Sequence, residues 1–129
     1  VLIVDDDVIV RSLAAALLEQ MGAQCEGAAT GAEASTAAAK AASAGRPFDI
    51  VLLDQHLWLE TGHDVCQRLR QDGLQVPIIA MSGDGLTVDR PLRDAGFDGW
   101  LKKPFSAQQL HDCVEDHVGR RYGTSIGTA

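Results

Sequence analysis

Val1-Leu-Ile-Val-Asp-Asp-Asp7 begins the chain with four apolar residues that give way at once to three carboxylates. A continuous apolar run of this length fits a strand buried on both faces, and its abrupt end marks the strand's polar edge. The pattern returns downstream. Phe48-Asp-Ile-Val-Leu-Leu-Asp54 is an apolar run from Phe48 to Leu53 that again ends on a carboxylate, Asp54. Pro77 starts a run over Ile78 to Met81 that ends at Ser82, and Gly99 to Lys102 is a shorter run just before Lys103. A weaker strand is predicted around Gln24 to Ala29.

Longer amphipathic stretches lie between these runs. From Val10 the apolar positions Leu13, Ala14, Leu17, Leu18 and Met21 recur at helical spacing and stop at Gly22, with Asp7 placed to cap the start. Thr30 leads into a small-residue stripe of Ala34, Ala37, Ala38, Ala41 and Ala42 that ends at Gly45, the pattern of a closely packed helix. Gly62 opens a helix with Val65, Cys66 and Leu69 on one face, closed by Gly73. Leu86 to Ala95 reads as a short fourth helix that begins late or bends at Pro91. Ser106 and Gln109 form a capping-box signal ahead of Leu110, Cys113, Val114 and Val118.

Five strand-then-helix units predict an α/β fold with a mainly parallel sheet, helices on both faces and right-handed crossovers. In such sheets the functional crevice lies at the carboxyl ends of the strands. Those ends carry Asp5, Asp6, Asp54, Ser82 and Lys103. Residues 119–129, rich in Gly, Ser and Thr, have no apolar period and read as a C-terminal tail or the start of a linker, leaving 1–118 as the domain.

Composition narrows the function classes. The 129 residues are enough for one domain, and 46% hydrophobic with 22% charged residues can bury a core. A net charge of -7 is the wrong sign for direct nucleic-acid binding. No apolar run approaches the roughly 20 residues needed to span a membrane, and the acidic start is unlike a signal peptide, so a cytoplasmic chain is expected. Cys25, Cys66 and Cys113 are an odd number with no CxxC pair, and are read as thiols rather than as disulfide or zinc ligands. His63 and Cys66, one helical turn apart, are read as surface and core residues, and His111 and His117 as solvent-facing positions. Trp58 is read as a loop anchor or an exposed contact.

Three carboxylates converging in one crevice repel one another and require a compensating cation. Oxygen ligands favour Mg2+, with Mn2+ as an alternative, and such an ion recruits phosphate oxygens. A lysine and a hydroxyl aimed at the same place would bind a phosphoryl group, and one carboxylate could act as nucleophile to give an aspartyl-phosphate.

Taken together, VLIVDDD, FDIVLLD with Gly62 eight positions after its aspartate, PIIAMSG and AGFDGWLKKPF resemble the receiver domain of bacterial two-component response regulators. The resemblance implies a flavodoxin-like three-layer α/β/α sandwich, (βα)5, with strand order 2-1-3-4-5. It implies that Asp54 accepts a phosphoryl group from a histidine kinase or a histidine phosphotransfer protein. Asp5, Asp6, Asp54 and the backbone carbonyl of His56 match the metal ligands, Ser82 the hydroxyl that bonds the phosphoryl oxygens, and Lys103 the lysine that pairs with them. Trp100 matches the aromatic switch residue, and the Lys103-Pro104 bond is expected to be cis. Such a domain takes part in its own phosphorylation and slow dephosphorylation without being a conventional enzyme. It switches the surface around the fourth helix and fifth strand for an output outside this chain. A start at Val1, already inside the first strand, reads as an excised or trimmed fragment.

The sequence departs from the common family pattern at Trp58, where proline is frequent, and at Trp100, bulkier than the usual Tyr or Phe. His56 and Asp84 lie at positions that in the family border the water path to the phosphoryl group. Three alternatives stand beside the main reading. The metal pair could be Asp6 and Asp7. Asp5 and Asp7 have the one-residue gap of a haloacid-dehalogenase-type Mg2+-dependent phosphohydrolase, although no segment is available for a cap. Last, the chain could be a receiver-like binding module that does not respond to phosphate.

Overall fold

A computed structural model describes residues 1–83 and 93–118. Five strands, β1 (Leu2–Val4), β2 (Glu26–Ala28), β3 (Val51–Asp54), β4 (Ile78–Ser82) and β5 (Gly99–Lys102), pair in parallel in the order β2-β1-β3-β4-β5. Leu2 sits opposite Glu26 on one side and Val51 on the other, and Val51 lies opposite Ile78. This register brings the polar ends of β1, β3 and β4 to the same edge. The strand order reverses direction between β1 and β3, and a crevice opens at such a switch point.

The described helices are α1 (Val8–Glu19), α2 (Gly31–Ser43), α3 (Gly62–Gln71) and α4 (Ala107–Val118). Strand periodicity assigns them to faces. Leu2, Val4, Val51, Leu53, Ile78 and Ala80 bury their side chains with Ala34 and Ala37 of α2 and Val65, Cys66 and Leu69 of α3. The alternate residues Ile3, Leu52, Ile79, Met81 and Leu101 meet Ala14 and Leu18 of α1 and Leu110 and Val114 of α4 on the other face. The result is the α/β/α sandwich expected from strands buried on both faces. Gly22 and Gly73, beyond α1 and α3, take φ of 96° and 98°, the left-handed conformation that lets the chain leave a helix sharply.

Several boundaries differ from the sequence reading. Helix α1 starts at Val8, ahead of the first apolar-periodic position Val10, with Asp7 capping it as expected by accepting the Ile9 N–H at 2.9 Å. Strand β3 is shifted toward its acidic end: Asp54 is itself in the ladder, opposite Met81, while Phe48 is left outside to pack against the α2–α3 side. Ser82 likewise belongs to β4. The three histidines read as surface positions have neighbours. The His63 and Phe97 rings meet edge to face with centroids 5.7 Å apart, His111 Nε2 lies 3.1 Å from the Leu17 carbonyl of α1, and His117 Nδ1 lies 2.8 Å from the Cys113 carbonyl. Most of the predicted helix over Leu86–Ala95, with Pro91, falls outside the described residues, as do Asp84 and the tail 119–129; Arg93 and Asp94 are helical.

Arg70 joins the end of α3 to the start of β5. Its guanidinium donates to the Gly96 carbonyl at 2.8 and 3.1 Å, the Leu74 carbonyl at 2.9 Å, the Val76 carbonyl at 2.8 Å and Asp98 Oδ2 at 2.8 Å. Asp98 Oδ2 also accepts the Ile78 N–H at 2.9 Å, so one ion pair fixes the entry to both β4 and β5. The three cysteines are free, and burial pushes the Cys66 thiol up to about 11, which keeps it protonated and unreactive at neutral pH.

Candidate functional site

Asp5 directly follows β1 and is fully buried (0% exposed), and Asp54, the last residue of β3, is 5% exposed. Asp6 is exposed. Asp5, Asp6 and Asp54 each place a carboxylate oxygen within 4.8 Å of the others. Asp7 turns away to cap α1, while its own N–H donates to Asp5 Oδ1 at 2.9 Å. Asp7 is not in that gathered group, which weighs against both alternatives that needed its carboxylate.

Lys103 enters from the far end of the sheet. Its N–H donates to the Ser82 carbonyl at 2.7 Å, extending the β4–β5 ladder, and the Lys103-Pro104 bond is cis. Its ammonium reaches Asp5 Oδ2 at 2.6 Å and lies 3.4 Å from Asp54 Oδ1. Ser82 is buried at the end of β4. The His56 N–H donates to Asp54 Oδ1 at 3.3 Å. Trp100, opposite Ala80 on edge strand β5, is 45% exposed and stands apart from this cluster.

Burial raises the Asp54 carboxyl above its usual range, and the neighbouring Asp5 charge raises it further; Lys103 and the His56 N–H offset this only in part. For Lys103 burial acts to lower the pKa, but the hydrogen bond and charge of Asp5, with the charge of Asp54, outweigh it and the net shift is upward. One ammonium among three carboxylates leaves the crevice with excess negative charge. An all-oxygen donor set with that excess fits a hard divalent cation, which Asp5, Asp6 and Asp54 could hold.

The sequence profile described as "response regulator receiver domain" matches residues 1–115. The chain belongs to the response regulator receiver domain family. It is 33% identical over 115 residues to the alkaline phosphatase synthesis transcriptional regulatory protein SphR of Synechococcus elongatus, covering 85% of this chain and 45% of that protein. It thus spans under half the length of that relative. The two-component response regulator ORR41 of Oryza sativa subsp. japonica is 34% identical over 113 residues, 85% of this chain and 87% of its own length. Among solved structures, the receiver domain of sensor histidine kinase PA1611 from Pseudomonas aeruginosa superposes with a TM-score of 0.77 at 27% identity. That match covers 92% of this chain and 95% of the other, and the structure is described with a magnesium ion in its active-site cleft.

Receiver architecture accounts for residues the sequence reading singled out only by spacing. A side chain at Gly62 would strike the Asp54 carbonyl at 2.6 Å, so a glycine eight positions after Asp54 lets α3 start against the end of β3. Other contributors had no visible signal. Arg11 Nη1 donates to the Asp5 carbonyl at 2.6 Å, holding the end of β1 from the first turns of α1. Gln55 is 5% exposed, and its Nε2 has no hydrogen-bond partner.

The shifted groups give this receiver a defined pH response without metal. Because folded Asp54 holds its proton more tightly than the unfolded carboxyl, its ionisation destabilises the fold at neutral pH. Stability is regained as pH falls through the raised pKa toward the ordinary aspartate value of about 3.9. Lys103 acts at the other end: its contribution is complete below the ordinary lysine value of about 10.4 and is lost as pH rises through the raised folded value. In unfolding experiments with chelator, Asp54→Asn should be more stable than wild type at pH 7, by a margin that shrinks on acidification. A margin independent of pH would contradict the electrostatic origin.

Proposed function

We propose that the chain is a phosphorylation-controlled signalling switch in which Asp54 is the phosphoacceptor. The observation that carries this is the convergence of Asp5, Asp6 and Asp54 at one sheet edge, with the Lys103 ammonium between the two buried carboxylates. An Asp54 carboxylate oxygen forms a bond to phosphorus as the P–N bond of a donor phosphohistidine breaks, and the released imidazole takes up a proton. Lys103 neutralises the phosphoryl oxygens, and the Ser82 hydroxyl at the end of β4 hydrogen-bonds them. Asp5, Asp6, Asp54 and the His56 carbonyl would hold Mg2+, with Mn2+ as a substitute; the bound ion would neutralise charge developing on the transferred group. The magnesium ion described in the active-site cleft of the PA1611 receiver domain supports magnesium as the ion.

The partners are a histidine kinase or histidine phosphotransfer protein as donor and an output domain or protein as receiver of the signal. Residues 1–118 form the functional unit, residues 119–129 are a C-terminal tail or the start of a linker, and the switch operates in the cytoplasm. No helix among the described residues is long and apolar enough to cross a membrane. The added charge is read through Ser82 and Trp100 by the surface around β5 and the segment before it. The chain takes part in its own phosphorylation and slow autodephosphorylation. A phosphohydrolase reading has less support, since Asp7, its required second acid, is committed to the α1 cap.

Incubation with a small acyl phosphate, followed by intact-mass measurement, tests the reading. One phosphoryl group is expected with Mg2+ and none with chelator. Rapid turnover of diverse phosphate esters, or no adduct under either condition, would overturn it.

A further inference from the structure

The loop between Asp54 and α3 contains neither proline nor glycine over residues 55–61, yet it has a defined shape. His56 and Thr61 form an antiparallel bridge, closed on one side by the Gly62 N–H to the Gln55 carbonyl at 3.0 Å and on the other by the Leu57 N–H to the Glu60 carbonyl at 3.1 Å. In a bridge bonded this way the N–H and C=O of His56 point away from Thr61, toward the acidic crevice. The His56 N–H accordingly meets Asp54 Oδ1, and the carbonyl lies on the same edge. At the tip, Trp58 and Leu59 are 80% and 86% exposed and hold nothing down.

The anchors are Leu57, which is buried, and Glu60. Glu60 Oε2 accepts the N–H of Gly31, the first residue of α2, at 2.7 Å, and Oε1 lies 3.4 Å from Arg68 Nη2 on α3. The Gly31 N–H is among the donors that a helix start leaves without an intrahelical partner, and a carboxylate is favoured there by the helix dipole. Gly31 leaves room for this contact, because a Cβ on it would meet Glu60 Oε1 at 2.6 Å and Arg68 Nη1 at 2.8 Å, as well as Val65 Cγ2 at 2.7 Å. The contact reaches from the loop after β3 to the helix after β2.

We propose that Glu60 is a positioning residue for the cation site: its clip onto the start of α2 holds the turn that aims the His56 carbonyl and N–H into the crevice. The inference rests on the metal set proposed above and deepens it, with Glu60 giving this loop the stiffness that a proline at the Trp58 position would otherwise supply. Residues that orient metal ligands without touching the ion commonly change metal affinity by about 10-fold or more.

Two readings on the metal-stripped full chain test it. Calorimetric titration with Mg2+ should show affinity about 10-fold weaker for Glu60→Ala, with Glu60→Gln, which keeps an acceptor for Gly31, closer to wild type. Gly31→Ala, which pushes Glu60 away from the other side, should weaken Mg2+ binding in the same direction. Without metal, hydrogen exchange at the Leu57 amide should speed up in Glu60→Ala. Wild-type Mg2+ affinity in a folded Glu60→Ala, or unchanged Leu57 exchange, would overturn the clip. Should Glu60→Ala not fold, Glu60→Gln and Gly31→Ala decide by the same readings. A wild-type chain that binds no Mg2+ would instead sink the metal set itself, with Leu57 exchange still deciding whether Glu60 holds the turn.

Discussion

Asp54→Asn is expected to take up no phosphoryl group under conditions in which the wild-type chain takes up one, a loss of at least about 1,000-fold in rate, as when a nucleophile is removed. The substitution is nearly isosteric and leaves the backbone in register opposite Met81, so the ladder and the His56 turn should survive. It removes the oxygen proposed to attack phosphorus, and the neighbouring acids of the crevice are poorly placed to substitute for it. Asp5 is committed to Lys103 Oδ2-to-Nζ at 2.6 Å and to the Asp7 N–H, and Asp6 is an exposed side chain outside the sheet. The variant should also lose one of the proposed metal ligands while relieving the Asp5–Asp54 repulsion, so it should be inert yet more stable than wild type in chelator at pH 7. Intact-mass measurement and thermal unfolding on the same samples check both parts. An Asp54→Asn protein that is still phosphorylated would move the acceptor elsewhere.

The second large effect concerns stability. Arg70→Met is expected to cost about 2–4 kcal/mol, because it strips hydrogen bonds from three backbone carbonyls and leaves Asp98 without its cation. The figure is held at this level because the pair is part-exposed, with side chains 25% and 47% accessible, and water can reach some of the freed groups. The damage would fall where β4 and β5 begin, the strands that carry Ser82 and lead to Lys103. Arg68→Met is the control: its ion pair is longer, 3.4 Å, and its guanidinium is more exposed and makes no backbone hydrogen bonds comparable to those of Arg70, so about 0.5 kcal/mol or less is expected. Urea unfolding of the three proteins checks the order. Equal losses at the two arginines would refute the clamp.

How much of this was legible beforehand depended on the kind of signal each residue gives. VLIVDDD and FDIVLLD announced strands buried on both faces because such strands need no alternation, and their acidic ends marked the crevice. The alanine stripe read as a packed helix for a similar reason, since Ala34 and Ala37 must lie against the sheet at close approach. Spacing leaves the choice among Asp5, Asp6 and Asp7 open; in the fold Asp7 caps α1, and the carboxylates that gather are those of Asp5, Asp6 and Asp54. Glu60 and Arg70 were invisible as single charges in polar stretches, because their partners Gly31 and Asp98 lie 29 and 28 residues away. Lys103 is legible as the polar end of the fifth apolar run, and Pro104 singles it out within the family's motif; its contact with Asp5 spans 98 residues of sequence, which no local pattern shows.

The most direct test of the central claim is to locate the phosphoryl group chemically. Wild-type chain phosphorylated with Mg2+ and a small acyl phosphate would be reduced with borohydride, which converts an acyl-phosphate to an alcohol, then digested and sequenced by mass spectrometry. The expected result is a single converted residue at Asp54, absent from chelator-treated samples. Conversion at Asp5 or Asp6, or a phosphoryl group on a histidine that borohydride leaves unchanged, would contradict the account.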